Sequence, residues 1–181
     1  IRLSLVGSEM CIRDSYCRGQ QGKAQDEPGP MGKVIDQILQ VLAPKIREKS
    51  IDVEVCAERP ARAYEVPAAA MTQVVMNLLL NGVEAVAKEG KIRIAMDLRA
   101  NGLDIRVEDN GPGVDEALYD EVFKSFVTFR EGGTGLGLSI SQKIVQRLGG
   151  LISVDRSDLG GACFFIRLPQ AVTQKIGGNF L

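Results

Sequence analysis

The chain has 181 residues, 45% of them hydrophobic and 25% charged, with a formal net charge of −1. That is enough apolar material for one domain with a real core, and the charge argues against nucleic-acid binding by the surface as a whole. No apolar run approaches the roughly 20 residues needed to cross a bilayer, and the absence of histidine excludes a histidine base, metal ligand or phosphoacceptor within these residues.

Residues 1–30 carry no periodicity, and Gly, Gln, Asp, Glu and Pro dominate from Arg18 to Pro30, so this stretch reads as a disordered leader or linker. Ile1–Val6 is too short for a signal peptide, with Glu9 close behind, and Leu3–Ser15 resembles translated sequencing-adapter sequence. The domain proper is expected over residues 31–169, with a patternless tail at 170–181. Cys11, Cys17, Cys56 and Cys163 lack paired metal spacing, and Cys56 and Cys163 fall in apolar strand patterns that suggest core thiols in a reducing compartment.

Met31, Val34, Ile35, Ile38, Leu39, Leu42 and Ile46 form one helical face, which Pro44 should kink or split in its last turn. Ile51, Val53 and Val55 alternate with Asp52 and Glu54, predicting a half-buried strand. Ala57–Val66 reads as irregular, and Pro67 suits the first turn of the next helix. That helix, Gln73–Lys88, sets Gln73, Asn77, Asn81, Glu84 and Lys88 on one stripe of an otherwise apolar segment. Two amides one turn apart in such a setting need partners, because a buried polar group left unpaired costs about 1–3 kcal/mol. They either bridge neighbouring backbone or offer neutral oxygens to a hard cation.

A hairpin follows. Ile92, Ile94, Met96 and Leu98 alternate with polar residues, Asn101-Gly102 supplies a turn, and Leu103, Ile105 and Val107 alternate on the return strand. Asp109 continues the inward set 103, 105, 107. A carboxylate aimed at the core side of a strand implies a pocket. Asn110-Gly111-Pro112-Gly113 then makes a tight turn whose backbone can approach a ligand closely. The segment 123–131 follows neither period and holds Phe123, Phe126 and Phe129, as in a mobile loop with aromatic anchors. Gly132–Leu138 opens a helix with an apolar face of Leu138, Ile140, Ile144, Val145 and Leu148, closed by Gly149-Gly150. Strands at 151–155 and 162–168 complete the domain, joined across Gly160-Gly161.

A glycine loop entering a helix is an anion site, since its N–H groups and the helix dipole point the same way. The glycines also fit a packing role at a helix start. The loop follows no strand and lacks a Gly-Lys-Ser/Thr ending, which sets aside dinucleotide-binding and Walker-type units.

Taken in order, the Asn-x-x-x-Asn helix, the Asp-x-Gly-x-Gly turn, the aromatic loop and Gly-Thr-Gly-Leu-Gly-Leu resemble the ATP-binding catalytic domain of bacterial sensor histidine kinases. That domain belongs to the superfamily shared with gyrase, Hsp90 and MutL. The resemblance covers roughly residues 31–169. It implies an α+β, two-layer sandwich of the Bergerat type, with a mixed, mostly antiparallel sheet of about five strands on about three helices and a mobile ATP lid. ATP and Mg²⁺ are the implied cofactors.

The resemblance further implies that Asp109 accepts a hydrogen bond from the adenine amino group. Asn81 would coordinate Mg²⁺, and Asn77 would orient nucleotide and metal. Gly111 and Gly113 would lie against adenine, and Phe123 and Phe126 would anchor the lid. Gly133, Thr134, Gly135, Leu136, Gly137 and Leu138 would wrap the triphosphate, and Arg130 would neutralise γ-phosphate charge. Hydrolysing relatives carry a glutamate at the position of Asn77; an amide is a poor base, which favours phosphotransfer over hydrolysis. Glu84, where many relatives have lysine, and the short lid resemble the nitrogen-regulation and dicarboxylate-sensing branch.

The implied function is donation of the γ-phosphate to a histidine on a separate helical hairpin, for relay to a response regulator receiver domain. The parent would be a homodimeric kinase whose catalytic part is cytoplasmic, with any membrane anchor upstream and no nucleic-acid partner. The alternatives are an anti-sigma-type protein serine kinase and a nucleotide-binding module without transfer activity.

Overall fold

The computed structural model describes residues 27–128 and 134–170. Seven strands and four helices occur among them: β1 Pro28–Pro30, α1 Met31–Glu48, β2 Asp52–Ala57, α2 Arg59–Arg62, β3 Glu65–Pro67, α3 Ala68–Ala85, β4 Lys91–Arg99, β5 Gly102–Asp109, α4 Gly137–Arg147, β6 Leu151–Arg156 and β7 Ala162–Pro169. Two single 3₁₀ turns, Glu116–Leu118 and Glu121–Phe123, lie between β5 and α4.

The main sheet has the order β2-β4-β5-β7-β6. Only β2 and β4 run parallel; the other three pairs are antiparallel. Alternation decides the layers. Ile92, Ile94 and Met96 of β4, Leu103, Ile105 and Val107 of β5, and Phe164, Ile166 and Leu168 of β7 are all buried in one cluster with the apolar stripes of α1, α3 and α4. The fold is therefore the expected two-layer sandwich, with α3 packed against both α1 and α4 and against β5.

The other face of the sheet carries charge. Asp104 lies opposite Arg167, which donates through Nε to Oδ1 at 2.8 Å and through Nη2 to Oδ2 at 2.9 Å. That fork is the first reason the Asp104 carboxyl titrates below its usual range. Asp97 sits directly across from Asp104 and is paired with Arg106 at 2.7 Å, which offsets the like-charge opposition. Cys56 and Cys163 share this face by strand parity, with Cys56 exposed and Cys163 half-buried, so neither is the core thiol expected from the apolar pattern. Partial burial still pushes the Cys163 thiol up to about 11.

Four local expectations give way. Helix α1 runs unbroken past Pro44: Pro44 and Gln40, whose carbonyl loses its usual donor, are both exposed, so water can take the bond. Residues 28–30, assigned by composition to the leader, pair antiparallel with β3. The supposedly irregular stretch before α3 contains α2 and β3. Finally, α3 begins at Ala68 and ends at Ala85, so Lys88 lies off the helix, and Pro67 is the extended residue before it rather than part of its first turn. The three alanines 68–70 are strong helix formers and carry the start upstream. At the other end Lys49 Nζ donates to the carbonyls of Val83, Glu84 and Val86 at 2.9, 3.2 and 3.0 Å. A cation on the negative end of a helix, satisfying carbonyls that have no partner within it, fixes where α3 stops.

Candidate functional site

Asp109 ends β5 with only 4% of its surface exposed. A buried carboxylate is tolerable only when hydrogen-bonded. Its Oδ1 accepts from the N–H of Gly111 at 2.8 Å and of Ala162 at 3.2 Å, and its carbonyl accepts from Gly161 N–H at 3.1 Å. The carboxylate is thereby aimed by backbone from two separate turns. Asn110 locks the strand end, donating from its N–H to the Lys91 carbonyl at 3.1 Å and accepting the Lys91 N–H at Oδ1 at 2.7 Å.

The turns fit because they lack side chains. A Cβ built on Gly161 would overlap Asp109 Oδ1 and lie 2.5 Å from the Gly111 nitrogen. One on Gly111 would lie 3.0 Å from Asp109 Oδ1 and 3.2 Å from Ala85 of α3. Gly113 adopts φ 77° against the Gly161 carbonyl. The Gly111 and Gly113 turn thus packs on the β6–β7 turn as well as flanking the acid. Gly82 of α3 brings that helix down onto Asp109, with an added Cβ 3.8 Å from the Asp109 Cβ.

Five residues earlier on the same helix, Asn77 meets α4. Its Nδ2 donates to Ser141 Oγ at 3.1 Å, and a Cβ on Gly137 would overlap Oδ1 and lie 2.8 Å from Cγ. Five residues are about 7.5 Å of helix. Helix α3 therefore forms a floor with the acid at one end and the start of α4 at the other. Asn77 and Asn81 are half-buried along it, one turn apart. The residue before α4 is Leu136 at φ −100°, whose side chain makes no capping bond. The first-turn N–H groups of α4 make the end of the floor suited to anions.

Backbone ties Phe126 to Gly135. Phe126 N–H donates to the Gly135 carbonyl at 2.9 Å, and Gly135 takes φ 65°, which a side chain would resist. Phe123 is 8% exposed and joins the core. Phe126 does not: the residue is 77% exposed, with left-handed backbone (φ 70°) and the N–H bond to Gly135. Thr134 is exposed, while Leu136 and Leu138 are half-buried. Arg130, Gly133 and Phe129 lie outside the described residues.

Three participants carry little signal in the sequence. Gly161 was visible only as half of a glycine pair in a turn, and Ala162 as the first residue of a strand. Ser141 is a polar residue in a helix; the available signal is that it lies three and four residues before Ile144 and Val145, on the same buried side of α4.

A sequence profile for the family described as "Histidine kinase-, DNA gyrase B-, and HSP90-like ATPase" matches residues 67–172. The chain is 29% identical to the sensor histidine kinase ZraS of Escherichia coli over 145 residues, covering 80% of this chain and 31% of that protein. It is 40% identical over 103 residues to the C4-dicarboxylate transport sensor protein DctB of Rhizobium meliloti, covering 56% and 16% respectively. The chain thus spans a third or less of the length of these relatives. Among solved structures, the nucleotide-free catalytic domain of the histidine kinase ThkA superposes with a TM-score of 0.73 at 28% identity, covering 80% of this chain and 95% of that one. The mycobacterial sensor histidine kinase MprB gives 0.69 at 27% identity, covering 79% and 96%.

Proposed function

Because the chain belongs to the histidine kinase-, DNA gyrase B- and HSP90-like ATPase family, we propose that it is the catalytic domain of a sensor histidine kinase, binding Mg-ATP along α3 and donating the γ-phosphate to a histidine outside these residues. The observation that carries this is the floor itself: a backbone-aimed carboxylate at one end and a helix start preceded by glycines, with no cap from the Leu136 side chain, at the other. A purine with an exocyclic amino group suits the first, and phosphates suit the second.

The residue roles we propose are those the family resemblance implies. Asp109 accepts from the adenine amino group, with the backbone of Gly111 and Gly161-Ala162 fixing its direction, and Gly111 and Gly113 lie against the adenine. Gly133, Thr134, Gly135, Leu136, Gly137 and Leu138 border the phosphates, and Arg130 supplies a positive charge from the lid. Asn81 would hold the metal. A neutral amide oxygen on a half-buried helix face fits a hard divalent ion that brings most of its oxygens as phosphate and water. When bound, that ion neutralises phosphate charge. Asn77, an amide, leaves the site without a base for water at that position, so the domain holds ATP rather than hydrolysing it. Catalysis here is positioning and charge neutralisation.

The acceptor histidine belongs to a dimerisation hairpin of the parent kinase, and the phosphate passes to a response regulator. Similarity to the dicarboxylate sensor DctB supports placement in that branch. No described helix is long and apolar enough to cross a membrane, and the domain is proposed to act in the cytoplasm. The test is phosphotransfer from [γ-³²P]ATP to an added histidine-bearing hairpin domain. The expected product is acid-labile, base-stable label on the hairpin alone. Label on this chain, or acid-stable label on a partner serine, would refute the assignment.

A further inference from the structure

Ser141 is 1% exposed on the inner side of α4. A serine hydroxyl has one proton and two lone pairs. Here Oγ donates its proton to the Gly137 carbonyl, one turn earlier, at 3.0 Å. The same Oγ lies 3.1 Å from the Asn77 carboxamide. With its proton committed, Oγ can only accept, so the amide atom facing it must be the donor Nδ2. The flipped amide would set two acceptors, its own oxygen and the Gly137 carbonyl, in competition for a single proton. Asn77 Oδ1 consequently faces away from Ser141 and onto the backbone of Gly137, in the space a Cβ there would fill.

We propose that Ser141 is a positioning residue that locks Asn77 with its carbonyl oxygen toward the glycine loop, making the site selective for metal-complexed over metal-free triphosphate. The proposal rests on the nucleotide-binding reading above. An acceptor at that spot attracts a cation or its bound water and repels a bare phosphate oxygen. The flipped amide would present two N–H donors and reverse that preference. Removing the hydroxyl frees both orientations.

The test is calorimetry of the full chain with ATP plus Mg²⁺, ATP plus EDTA, and adenosine, for wild type, Ser141→Ala and Ser141→Thr. In Ser141→Ala the ratio of Mg-ATP to metal-free ATP affinity is expected to fall about fivefold, the worth of one hydrogen bond. Adenosine affinity should not change, and Ser141→Thr, which restores a hydroxyl, should recover the ratio. The side-chain amide signals of Asn77 in a ¹⁵N spectrum should shift in Ser141→Ala. An unchanged affinity ratio in Ser141→Ala, with the Asn77 amide signals in place, overturns the proposal. A wild-type chain that binds none of the three ligands overturns the nucleotide reading first, and the proposal with it.

Discussion

Gly161→Ala isolates the backbone cradle of Asp109 without altering the acid. The added methyl would overlap Asp109 Oδ1 and sit 2.5 Å from the Gly111 nitrogen and 2.6 Å from the Asp109 carbonyl oxygen, where real Cβ contacts essentially never fall below 3.0 Å. All three neighbours are backbone or a short, buried side chain, so none can swing aside. The Gly161 N–H bond to the Asp109 carbonyl and the Ala162 N–H bond to Oδ1 should both lengthen or break. A hydrogen bond to a charged group is worth about 1.5–3 kcal/mol, so a carboxylate turned off its direction should weaken ATP binding roughly ten- to a hundredfold. Gly160→Ala is the control. Nothing lies within 4 Å of a Cβ there, but φ 106° strains any side chain. It should lower stability by about 1–3 kcal/mol and leave affinity within about twofold. Calorimetric titration with ATP and urea denaturation read the two effects separately. A folded Gly161→Ala protein with wild-type affinity would refute the reasoning.

Two further perturbations address the scaffold. Lys49→Met removes the cation that bonds three carbonyls at the end of α3, and should destabilise the fold by about 1–3 kcal/mol in urea denaturation, with fraying of α3 visible in amide exchange. Arg167→Gln removes the fork on Asp104. A carboxyl held below its ordinary range contributes stability that is fully present above that range and is lost as pH falls through the lowered value. The wild type should therefore exceed Arg167→Gln in urea midpoint at pH 7, and the gap should close in acid, below the ordinary aspartate range. A gap that is constant between pH 7 and pH 3 would count against the ion pair as its source.

Elements whose pattern is set by burial were legible in the chain. The alternation in β4, β5 and β7 and the helical stripes of α1 and α4 report directly on one covered face, and the same parity placed Asp109 inside before any fold was known. The acid was readable because it breaks a pattern. What escaped was set by partners distant in sequence. β1 and β3 are three residues each and pair with one another although α1, β2 and α2 lie between them in sequence. Gly161 is needed for space beside Asp109, 52 residues earlier by numbering, and no local rule separates that from the conformational need of Gly160. Phe126 looked like an anchor because aromatic side chains usually bury, but the loop there is held by its backbone. Ser141 took on meaning only once Asn77 was found against it.

The central claim is that Asp109 reads the purine of a bound nucleotide. Titration of the non-hydrolysable analogue AMPPNP with Mg²⁺ into wild type and Asp109→Asn tests it most directly. Saturable one-to-one binding to wild type is expected, with a loss of at least about tenfold in the variant, the worth of one charge-assisted hydrogen bond. Equal affinities for the two folded proteins would contradict it.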